Sequence, residues 1–77
     1  MPHPTECRQA VRDEMLAMTE SLIAHYSGVI PAGSVMRCVA RCQEHLLRAG
    51  VRDGLVAAVE ASARRRLDGA VPAHAVA

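Results

Sequence analysis

Cys38, Cys42 and His45 come nearer than any other residues of this 77-residue chain to a reactive constellation. At i, i+4 and i+7 of a helix they fall near one face, and two thiolates with an imidazole are a donor set for a soft metal. A fourth ligand would have to come from Cys7, His25 or a second subunit. The competing reading is that small cysteines on a helix fill a core, and Cys42 aligns with Val35, Val39 and Leu46. Packing is the expectation here, with no bound metal and no cofactor. A thiol-based metal or redox sensor built on Cys38, Cys42 and His45 is the alternative.

Cys42 and Arg48 also have the Cys-x5-Arg spacing of a phosphatase nucleophile loop. Such a loop turns backbone amides inward around an oxyanion and holds a thiolate of lowered pKa at a helix start. The segment between Cys42 and Arg48 contains no glycine and reads as helix interior, where the amides are already paired. Asp13-Glu14 reads as a helix-surface pair, and no Gly-rich phosphate loop or Ser-His-Asp set is present. The chain is therefore expected not to be an enzyme.

Two arginine groups could meet phosphate: the stripe Arg37, Arg41 and Arg48, and the run Arg64-Arg65-Arg66. Glu44 to Arg48 and Glu60 to Arg64 are, however, i,i+4 pairs of the kind that support a solvated helix face. A net charge of +1 and a single aromatic residue to stack on bases leave little for a nucleic-acid binder, so no nucleic-acid partner is expected. A small nucleic-acid-binding regulator is the other alternative.

The elements that would carry these residues are helical. Hydrophobic residues are 51% of the chain and aromatics 1%, so the core must be Leu, Val, Ala, Met and Cys, which favours close helix packing. Residues 1–4, with Pro2 and Pro4, are expected to be extended, and Thr5 to cap a first helix reaching Tyr26 and stopping at Gly28. Val11, Met15, Met18 and Leu22 form its apolar stripe. Pro31 or Ser34 opens a second helix, with Val35, Val39, Cys42 and Leu46, ended by Ala49-Gly50. Asp53 is placed to cap a third, with Leu55 or Val56, Val59, Ala63 and Leu67, closed by Asp68-Gly69. Short connections imply an all-α, up-down-up three-helix bundle over residues 5–69, followed by a frayed tail at 70–77.

More apolar positions are present than one such core needs. Leu16, Ile23, Met36, Ala40 and Leu47 flank the main stripes, and a core this small seldom supplies more than about 3–5 kcal/mol by itself. These five are the candidate interface of a homodimer. No apolar run approaches the roughly 18 residues of a membrane span. Three cysteines cannot all pair within one chain, and the polar, Pro-broken start does not resemble a signal peptide, which points to a cytoplasmic setting.

The run Leu22-Ile23-Ala24-His25-Tyr26-Ser27-Gly28-Val29, followed by Ser34-Val35, Val39 and Ala63-Arg64-Arg65-Arg66-Leu67, resembles a bacterial module. It is similar to the three-helix-bundle dimerisation domain found ahead of arsenate reductase and low-molecular-weight phosphotyrosine phosphatase-like domains, and also free-standing. The resemblance covers about residues 11 to 68 and places Tyr26 and Gly28 at the family's aromatic-x-Gly turn. It implies dimerisation without chemistry, and a phosphatase-like or reductase-like partner on a separate polypeptide.

Overall fold

A computed structural model describes residues 4–71, which form three α-helices and no strand. α1 runs Pro4–His25, α2 Ala32–Arg48 and α3 Leu55–Ala70. The expected three-helix bundle is what the chain adopts, with α2 and α3 making its most extensive pairing. Cross-bundle contacts fix the direction of the helices: Tyr26 at the end of α1 meets Asp68 near the end of α3, and Cys38 meets Ala63.

α1 begins at Pro4 rather than after it, as proline's fixed φ and missing amide allow in a first helical turn. The rest of the expected extended segment, residues 1–3, lies outside the described residues. The first connection is organised around the Tyr26 carbonyl, which accepts the amides of Val29 at 3.0 Å and Ile30 at 2.9 Å. Gly28 makes that turn possible with a φ of 83°, a left-handed conformation that side chains oppose.

The end of α2 is a Schellman motif. Gly50, at φ 88°, donates to the Leu47 carbonyl at 3.1 Å and Val51 to that of Leu46 at 3.0 Å. Two boundary expectations for α3 do not hold. Asp53 makes no capping hydrogen bond, because the N-cap position is occupied by Gly54 in the left-handed conformation. Gly69 does not stop the helix: α3 continues to Ala70, and Val71 turns extended and packs against the core. The start of the expected tail is thus helix, and residues 72–77 lie outside the described residues.

The core is Met15, Met18, Leu22, Tyr26, Ile30, Val35, Val39, Cys42, Val59, Ala63 and Leu67. Leu46 is only half-buried and packs against it, as do Leu55 and Val56. Val11, expected inside, is 43% exposed. Every α1 residue from Gln9 to Glu14 is exposed, and burial begins at Met15. At about 1.5 Å per residue α1 is roughly 33 Å long, longer than either partner helix, and Val11 lies on a turn that they leave uncovered.

Candidate functional site

Successive residues of an α-helix are rotated by about 100°, so α2 presents distinct strips along its length. Val35, Val39 and Cys42 point into the bundle. Met36, Ala40 and Leu47 lie on one flank of that strip, and Arg37, Cys38 and Arg41 on the other.

The first flank is one wall of an open groove of about 1070 Å3. α1 supplies the opposite wall through Val11, Met15 and Leu16, and the start of α3 closes one end with Leu55 and Val56. Leu16 is 59% and Met36 56% exposed, although both are large and apolar. Thr19, also on the α1 wall, donates its hydroxyl to the Met15 carbonyl at 2.7 Å and so asks for no partner across the groove. Charged side chains edge the groove: Arg12, Asp13 and Glu14 from α1, and Arg52 from the connection before α3. All four are exposed, and among the described residues none is in an intrachain ion pair.

Four of the five candidate interface residues, Leu16, Met36, Ala40 and Leu47, are thus brought together in one groove. Ile23 is not among them. It shares the Leu16 flank of α1 but stands two turns, about 10 Å, further along, where it is half-buried and packs against the core. Sequence reasoning in turn missed Val11, Leu55 and Val56 as groove residues, having placed them on core stripes.

The thiols have a different setting. Cys42 is 1% exposed and accepts a hydrogen bond from the Ser62 hydroxyl at 3.5 Å, while the Cys38 thiol points to the Ala63 carbonyl at 4.0 Å. Burial, and then the neighbouring Cys42, push the Cys38 thiol above its ordinary value, against the pull of Arg66 and Arg41. A thiol held protonated is a poor nucleophile and a poor metal ligand. His45 is exposed, and among the described residues no three His, Cys, Asp or Glu side chains gather into a metal-binding group. The Cys42 to Arg48 segment is continuous helix, and Arg48 is engaged by Glu44 at 2.6 Å.

Tyr26 seals the end of the bundle at which α1 stops. It is 4% exposed, meets His25 edge to face at 4.8 Å, and donates its hydroxyl to Asp68 Oδ1 at 2.5 Å. Burial first, then the hydrogen bond and negative charge of Asp68, raise the phenol above its ordinary value.

No described helix is long and apolar enough to cross a membrane. Comparison of the chain with family models, with curated proteins and with solved structures finds no match.

Proposed function

We propose that this chain is a non-catalytic interaction module that pairs with a second copy of itself through the groove between α1, α2 and the start of α3. The observation that carries the reading is the joint exposure of Leu16 and Met36 on facing walls of one concavity, in a chain whose own core is small. A symmetric partner is favoured by the edge of that concavity. Asp13, Glu14, Arg12 and Arg52 all edge it, and among the described residues none is in an intrachain ion pair, so a second copy offers each acid pair arginines of opposite charge. The likeness of Leu22–Val29 and Ala63–Leu67 to a dimerisation module points the same way.

Sedimentation equilibrium at micromolar concentration tests the proposal. The wild-type chain should run at twice its 8.2 kDa mass, and a Leu16→Glu, Met36→Glu variant at that mass with its helical circular dichroism intact. Both positions face solvent in the single chain, so the charges should be tolerated there. A wild-type protein that stays monomeric and folded would overturn the proposal.

A further inference from the structure

The flank of α2 opposite the groove carries Arg37, Cys38 and Arg41, which together with Ser34 and with Arg66 of α3 surround a depression of about 250 Å3. Arg37 and Arg41 stand one turn apart on the same helix, an i,i+4 pair of like charges that opposes helix formation, and Arg66 adds a third from the neighbouring helix. Two other arginines are neutralised within the chain: Arg48 is held by Glu44 at 2.6 Å and Arg64 by Glu60 at 3.2 Å. Among the described residues no carboxylate pairs with Arg37, Arg41 or Arg66. Positions one turn away offer none, being Gly33, His45, Ser62 and Ala70, and Glu44, three residues past Arg41, is taken by Arg48. Arg41 and Arg66 both lie near enough to Cys38 to act on its thiol, which places their charges around the same depression.

We propose that this depression binds a phosphate dianion. Three guanidinium groups from two helices present planar donor pairs to a tetrahedral oxyanion, which is where arginine outperforms lysine. The Ser34 hydroxyl adds a neutral donor at the side of the depression. Two negative charges would relieve the repulsion that the Arg37–Arg41 spacing builds in, which a monovalent ion does less well. Free phosphate and the terminal group of a phosphate monoester share this chemistry.

The test is a titration of the full chain with inorganic phosphate and, separately, with O-phosphoserine, each at ionic strength held constant with sodium chloride. Amide and arginine Nε–H resonances are followed by NMR. Saturable one-to-one shifts of Ser34, Arg37, Cys38, Arg41 and Arg66 are expected, with affinity at least tenfold weaker in Arg66→Gln and in Arg37→Gln. Equal binding of O-phosphoserine assigns the site to a monoester group, and binding of inorganic phosphate alone assigns it to the free ion. Both support the proposal. Shifts that do not saturate, that chloride reproduces, or that survive unweakened in both variants would overturn it. Arg37 and Arg66 are exposed, and circular dichroism checks that each variant is folded; should Arg37→Gln lose its helix, Arg66→Gln decides alone.

Discussion

The closed end of this bundle and its open flank solve the same problem in opposite ways. At the end where α1 stops, Tyr26 and Ile30 close over Val35 and Leu67, all nearly out of water, and the phenol finds Asp68 on the far helix. Along the flank between α1 and α2, by contrast, Leu16, Met36 and Val11 remain in solvent around an open groove. The first is finished by intrachain contacts. The other has the composition of a core and the geometry of a surface, and that contrast is what points to a second chain.

The contrast predicts unequal costs for the same chemical change. Leu22→Ala, at a fully buried position, should cost about 2–5 kcal/mol, comparable to the whole stability of so small a domain, and leave the protein largely unfolded in a urea or thermal melt. Leu16→Ala should leave the dilute chain's stability within about 0.5 kcal/mol of wild type, the range usual for surface substitutions. Its effect should instead be on self-association. A melting temperature that rises with concentration in the wild type and no longer does so in Leu16→Ala would mark the open flank as intermolecular.

Tyr26→Phe tests the closed end more gently. Losing the hydrogen bond to Asp68 should cost roughly 0.5–1.5 kcal/mol by urea denaturation at neutral pH. The substitution should also change the alkaline limb. Because the folded phenol titrates above its ordinary 10.0, its neutral form is favoured in the native state. That stability is fully present below the unfolded value and is lost as pH rises through the folded one. The phenylalanine variant should lack this decline, and a variant that reproduces it would show that Tyr26 is not its source.

These differences bear on what could be read from the sequence. The three helices were legible because apolar residues recur at helical spacing in every segment and glycines stand between them. Tyr26 continues the stripe of Met15, Met18 and Leu22 at the right interval, so its burial was available to the same argument. Val11 fits that stripe equally well yet is exposed, because periodicity reports which face a residue is on and not whether another helix extends far enough to cover it. Leu16 and Ile23 share one flank of α1, two turns apart, and spacing alone does not tell that only Ile23 packs against the core. Asp53 failed as a cap since the left-handed Gly54 beside it already sets the entry into α3.

Two glycines that the sequence treats alike should differ in the sign of their effect. Gly28 has a φ of 83°, so Gly28→Ala should destabilise by about 1–2 kcal/mol through backbone strain alone, since a Cβ there meets open space. Gly69 lies inside α3 without that constraint and also has room, so Gly69→Ala should stabilise by about 0.5–1 kcal/mol. Opposite signs in a paired thermal melt would sharpen the distinction between a turn glycine and a helix glycine. Equal signs would mean that α3 ends at Gly69 after all.

The pairing of grooves is tested most directly by isotope-filtered NOEs in a mixture of 13C-labelled and unlabelled chains, which report only contacts between subunits. Intermolecular NOEs are predicted to the methyl groups of Leu16, Met36 and Leu47, and none to those of Val35 or Leu67 at the closed end. A mixed sample with no such NOEs at concentrations where the protein is folded, or with NOEs confined to the closed end, would contradict it.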